Sequence, residues 1–187
     1  MTDTPLATVD QLGAFLQQPL AGDDPSATLY LSIASGMVRD FLQRELTAVA
    51  DDVVVLDPIN GCLLLPELPI TAVSLVETFD GSAWSTADPA TYTVSLHTGI
   101  ITALPRLDSP WPYGPGTWRV TYSHGFAAVP DSIVGVVLGV AARAYTSPAG
   151  VDSERIGGYN VKYSMEADGF TGIEKRALAR YVNPRVA

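Results

Sequence analysis

The chain has 187 residues, 47% of them hydrophobic and only 17% charged, with a formal net charge of −9. That length makes one domain, or one domain carrying an insertion, and the low charge leaves apolar surface to spare for contacts. No span reaches the ~20 apolar residues of a membrane crossing, and a single cysteine, Cys62, excludes an internal disulfide.

The first residues lack a basic region ahead of an apolar one, so no signal peptide is expected and the chain reads as cytoplasmic or assembled in the cytoplasm. A short helix is expected over residues 9–18, with Thr8 as N-cap, Gln11 completing a capping box and Pro19 ending it. A second runs from a cap at Asp24, with Pro25 in the first helical position, to about Glu45. Its expected core stripe is Leu29, Ile33, Met37 and Phe41, widened by Tyr30 and Leu42.

From Asp52 the pattern changes to strands. Residues 53–56, 62–65, 72–78, 92–96, 99–102 and 117–122 are rich in β-branched and aromatic side chains. Turn signals such as Asn60-Gly61, Asp80-Gly81 and Thr98-Gly99 separate them. Short strands at a spacing of roughly ten residues predict a small antiparallel sandwich or barrel. The proline-rich loop from Leu104 to Gly116, with Trp111, is either a contact loop or a pinned connection.

The helices return at Asp131. The expected helix 131–147, closed by Pro148, is apolar almost all the way round, from Ile133, Val134, Val136 and Val137 to Ala144 and Tyr145. A monomer's surface helix needs one apolar stripe, so this helix requires cover on several sides, from its own core and from a neighbouring subunit. Gly135 and Gly139, four residues apart, each cost ~1 kcal/mol against Ala, which close packing of another backbone offsets. The expected subunit interface is therefore Gly135, Gly139, Val136 and Val140. A strand is expected over 159–164, and a last helix over 171–181, capped by Thr171 with Glu174 and terminated by Pro184.

Charge is unevenly spread. Residues 45–105 carry eight acidic side chains and neither Lys nor Arg, whereas residues 143–187 carry seven basic against five acidic. Duplex binding needs clustered cations, so the middle of the chain repels nucleic acid. The acidic stretch reads as a solvated face that keeps the protein soluble.

Chemistry is hard to find. His97 and His124 have no Cys or His companions at zinc-ligand spacing and read as ordinary surface or hydrogen-bonded residues. Ser123 and His124 are adjacent in a strand and point to opposite faces. The pairs Asp23-Asp24 and Asp51-Asp52 lie where caps and turns call for Asp. No nucleophile elbow, phosphate loop or calcium loop is present. The expectation is a protein that is no enzyme and has no cofactor or metal.

Several segments, taken in order, resemble one family. They are residues 27–44, Pro66-Glu-Leu-Pro69-Ile-Thr-Ala-Val73, Val129-Pro-Asp-Ser-Ile133, Ala142-Arg-Ala-Tyr145, Ile156-Gly-Gly-Tyr-Asn-Val-Lys-Tyr-Ser164 and residues 171–181. The chain resembles the head–tail connector proteins of long-tailed bacteriophages, also called head-completion or adaptor proteins. Many of those are shorter and nearly all helical, so residues 51–125 read as a β insertion.

The expected architecture is α+β, a helical connector core (1–50 with 126–187) interrupted by a small antiparallel β-sandwich or barrel domain (51–125). The resemblance implies a twelve-fold homo-oligomeric ring in the virion, assembled in the host cytoplasm beneath the portal protein. It would complete the DNA-filled head, extend the DNA channel without binding DNA specifically, and dock the tail or a further head-completion protein. It also implies a portal contact at the C-terminal helix, through Arg176, Arg180 and Tyr181. Two alternatives stand beside it. One is a carbohydrate-binding β-sandwich using Trp84, Trp111, Trp118 and Tyr113. The other is a different ring-forming morphogenesis protein, such as a tail-end protein.

Overall fold

The computed structural model describes residues 4–104, 114–147, 153–156, 159–162 and 169–182. Trp111 and Tyr113, the closing Pro148 and Pro184, and strand residues 163–164 lie outside them. The chain divides into a helical unit, residues 1–43 with 129–187, and a β unit, residues 44–128. The fold is α+β.

In the helical unit, α1 (Val9–Leu16) begins with the capping box read from sequence: Gln11 N donates to Thr8 Oγ1 at 3.2 Å, and Thr8 N to Gln11 Oε1 at 2.8 Å. Helix α2 (Pro25–Leu42) is capped by Asp24, whose Oδ1 accepts from the amides of Ser26 and Ala27, both at 2.9 Å. It stops at Gln43 in the left-handed conformation, short of Glu45. Helices α3 (Asp131–Thr146) and α4 (Gly172–Leu178) follow, and α4 runs into a 3-10 turn at Ala179–Tyr181. Between them a hairpin pairs β8 (Ser153–Ile156) with β9 (Tyr159–Lys162), Ser153 opposite Lys162 and Ile156 opposite Tyr159.

Helix α3 is the hub, because α1, α2 and α4 all pack on it. Ile133, Val136, Val137, Leu138, Val140, Ala141 and Ala142 are buried there. The apolar circumference that called for a neighbouring subunit is thus covered largely by three helices of the same chain.

A second correction concerns α2. Its buried stripe is Ala27, Leu31, Ala34, Ser35, Val38 and Leu42, while Leu29 and Ile33 are 55% and 49% exposed. The small residues explain the choice, since Ala27, Ala34 and Ser35 let α2 approach α3 closely, as larger side chains would not. Ser35 is satisfied in that interior: its hydroxyl donates to Leu31 O at 2.6 Å and accepts from Leu6 N at 2.9 Å. The start of α2 is tied to the end of α3 by Tyr145, whose hydroxyl donates to Asp24 Oδ2 at 2.9 Å while its ring meets Tyr30 edge-on.

In the β unit, β1 (Val49–Leu56), β3 (Ile70–Phe79), β4 (Trp84–Thr86) and β7 (Trp118–His124) form an antiparallel sheet ordered β1-β7-β3-β4. A second sheet, ordered β2-β6-β5, holds β2 (Cys62–Leu64), β5 (Tyr92–Ser95) and β6 (Ile100–Ala103). Alternation along β7 sends Trp118, Val120 and Tyr122 into a shared core with Leu63, Ile101 and Val76. Strand β4 has no counterpart in the sequence reading.

The chain enters and leaves this unit side by side. Thr47 bridges Phe126, whose amide donates to Leu46 O at 3.0 Å. Gly125 makes that closure possible: it sits at φ +88°, and a Cβ there would lie 2.1 Å from Thr47 O.

The two stripes of α2 give a direct test. Leu31→Ala should lower the stability of the helical unit by about 2–5 kcal/mol, as for a fully buried leucine. Leu29→Ala should stay within about 0.5 kcal/mol, as for an exposed site. Urea unfolding followed by far-UV circular dichroism separates them, and equal losses would return Leu29 to the core.

Candidate assembly surface

The residues expected to form a subunit interface are divided between the core and the surface. Val136 and Val140 are 4% and 8% exposed and belong to the core of their own chain. Gly139 is approached by a side chain from α4, not by another backbone: a Cβ there would lie 2.9 Å from Glu174 Oε1. Gly135 alone of the four is exposed, and a Cβ there would meet nothing within 4 Å.

The space at Gly139 admits the ion pair that fastens α4 to α3. Arg143 Nη1 donates to Glu174 Oε1 at 2.8 Å and Nη2 to Oε2 at 3.0 Å, a bidentate grip. Glu174 also closes the α4 capping box, its Oε2 accepting from Thr171 N at 2.8 Å. Burial by itself would raise the Glu174 pKa, but the bonds from Arg143 and Thr171 outweigh it and hold the carboxyl below its ordinary value. Below α4, Phe170 and Leu178 are buried, and Phe170 meets Phe41 of α2 edge-on at 5.3 Å.

Fixing one face of α4 inward leaves the other to solvent. Arg176 and Arg180 are exposed, and Ile173 is 79% exposed, the most open large apolar side chain described. Tyr181 is turned back, sharing a 3.0 Å hydrogen bond with Ser132 at the start of α3, and the Arg180 guanidinium lies 5.1 Å over its ring. Of the three residues expected at the portal, two arginines therefore face outward and the tyrosine is engaged within the chain. Sequence reasoning passed over Ile173, whose signal was a lone isoleucine in the first turn of a charged helix.

In the β unit most carboxylates already serve local structure. Asp80 accepts from Ser82 and Ala83 amides, Asp88 from Ala90, Asp57 from Gly116, and Glu45 from Leu46 and Thr47. Glu77 takes Arg119 in a bidentate pair, both bonds 2.7 Å, and the same guanidinium stacks 4.5 Å over Trp84. Of the two readings of His124, a surface or a hydrogen-bonded residue, burial excludes the first. The residue is 3% exposed, stacked on Tyr122, with Nε2 3.4 Å from Asp52 Oδ2.

Two of the four aromatics of the carbohydrate reading are engaged within the chain. Trp118 is 1% exposed in the core, Trp84 is engaged by Phe79 and Arg119, and Trp111 and Tyr113 are outside the described residues. The open groove beside α1, lined by Asp10, Gly13, Gln17 and Leu20 among others, presents one titratable side chain. Among the described residues no three metal-ligating side chains cluster.

No family model matches the sequence, and no curated protein matches it. Solved structures do. The chain is similar to one from the neck of a native gene transfer agent particle computed with C12 symmetry, at 17% identity and a TM-score of 0.59. It is similar to another from the neck of the empty particle computed with C6 symmetry, at 16% and 0.60, and to one from the native virion, at 17% and 0.60. Each match covers 96% of this chain and 90% of the other. At these identities the likeness is one of fold, and it spans both units.

The Arg143–Glu174 pair predicts an acid response. The Glu174 pKa is lowered on folding, so its stabilisation is complete above the ordinary value of 4.5 and is lost as pH falls below it through the folded value. Glu174→Gln should flatten the part of acid unfolding that lies below pH 4.5, read by denaturant midpoints across pH. An unchanged profile would show that the pair contributes nothing to holding α4.

Proposed function

We propose that the chain is a structural component of a phage-like neck, a ring-forming head–tail connector. It sits beneath the portal, completes the DNA-filled head, extends the channel and docks the tail. The observation that carries this reading is fold similarity along 96% of the chain to a neck chain solved with twelve-fold symmetry. The sequence resemblance to connector proteins agrees with it, and so does a helical unit whose outer surface keeps large apolar side chains.

A closed ring requires two different complementary faces on one subunit. The outward face of α4 is one such protein-contact surface, and the portal or the next subunit round the ring receives it. Residues 45–105 of the β unit carry carboxylates and neither Lys nor Arg, and Arg119 beyond them is paired with Glu77, which suits a wall that duplex DNA slides past.

Electron microscopy of DNA-filled heads assembled with and without the protein tests the role. A ring of density below the portal, present only with the protein, is the expected result, together with retention of DNA and competence for tail joining. Heads that are complete and tailed without it would sink the proposal. The conduit reading predicts no duplex binding by fluorescence anisotropy at ~0.15 M salt, where screening is already strong. Micromolar or tighter binding would instead favour a role in handling nucleic acid.

A further inference from the structure

We propose that the exposed face of α4 docks on the exposed stripe of α2 in a second copy of this chain, forming a head-to-tail contact. The inference rests on the ring reading above and names its two surfaces.

The acceptor is the stripe of α2 turned away from α3. Leu29 and Ile33 stand on it, 55% and 49% exposed. Gly36 continues the row, with open space where a Cβ would be. Asp40 ends it, eleven residues or about three turns from Leu29, exposed and facing no cation among the described residues. The nearest α2 cation, Arg39, reaches away to the Thr4 carbonyl at 2.9 Å. Asp23, also exposed, adds negative charge before the helix.

The donor has the opposite sign and the same spacing. Ile173 is 79% exposed, and Arg176 and Arg180 follow at i+3 and i+7 on that face, neither meeting a carboxylate among the described residues. Glu174, the one acid of α4, is held by Arg143 and does not neutralise them. Ile33 to Asp40 spans seven residues of α-helix, about 10 Å of rise, and Ile173 to Arg180 the same number, the last two in the tighter 3-10 turn that continues α4. Parallel alignment therefore sets isoleucine on isoleucine and arginine on aspartate together.

The two surfaces are different and complementary, so copies join head to tail, the kind of contact that a ring needs and a two-fold dimer does not use. Pairing α4 with α4 would oppose arginines. A two-fold pairing of α2 with itself would oppose Asp40 to Asp40 if parallel, and bring Asp40 onto the apolar end if antiparallel. The occupant that satisfies apolar and charged parts at once is the next copy.

The test uses the full chain with Cys62→Ser, carrying Ile33→Cys and Ile173→Cys together or singly. All are cross-linked with a short bismaleimide, while sedimentation gives the mass of the wild type. The double variant should yield a ladder beyond the dimer, and each single variant no ladder. Asp40→Arg and Arg180→Asp should each reduce the ladder at least about five-fold, and together restore it, because the charges are then exchanged.

Wild-type rings with no ladder in the double variant would overturn this contact and leave the ring reading standing. A wild type that stays monomeric on concentration and on portal-bearing heads, again without a ladder, would overturn both. A ladder indifferent to both charge reversals would overturn the pairing proposed here. Release of Arg180→Asp from portal-bearing heads with its ladder intact would give the α4 face to the portal.

Discussion

A helix with apolar side chains on nearly every side cannot stand at a surface, and the helical unit is organised round that constraint. Helix α3 lies against α1, α2 and α4, and Ile133, Val137 and Ala141 are fully buried there. Each partner presents the face that fits. Helix α2 turns its small residues inward, and α4 offers Leu178 and the Arg143–Glu174 pair. Once those faces are committed, the outward ones follow without further choice. Leu29 and Ile33 are exposed because Leu31 and Val38 are buried, and Ile173 is exposed because Leu178 is buried.

That logic separates two kinds of glycine. Gly125 is required by the backbone, since its positive φ and the nearness of Thr47 O exclude a side chain. Gly139 leaves room for a neighbouring carboxylate, so its role is electrostatic as much as steric. Both act inside one subunit. A pair of glycines four apart on an apolar helix is thus no sufficient sign of an intermolecular seam, and here the open position is Gly135.

The β unit shows the same economy with charge. A run of acids and no bases suggests a long-range field, yet Glu45, Asp57, Asp80 and Asp88 are hydrogen-bonded to nearby amides, and Glu77 is neutralised by Arg119. Amide donors to Asp80 hold its pKa below the ordinary value, so it stays ionised while it shapes the turn. Structural carboxylates of this kind still repel phosphate at short range. The field is a by-product of turn formation, and a neck wall that DNA must traverse would benefit from it without a dedicated charged surface.

What the sequence determined by itself was everything set by short-range chemistry. The boxes at Thr8–Gln11 and Thr171–Glu174, the Asp24 cap with Pro25, the α+β class and six of the seven strands of the β unit were all legible. Each of these depends on residues a few positions apart, or on a period of two along one strand. Only the tertiary structure decided which stripe of α2 is core, because bulk favours Leu29 and Ile33 while the approach to α3 demands Ala27, Ala34 and Ser35. It also decided that α3 is covered within its own chain, and that Arg143 finds Glu174 thirty-one positions away. It buried His124 on Tyr122 and formed β4 from three residues that β3 recruits. Hydrophobic pattern states how much surface must be hidden. Which surface is hidden, and against what, depends on shapes that meet only after the chain has folded.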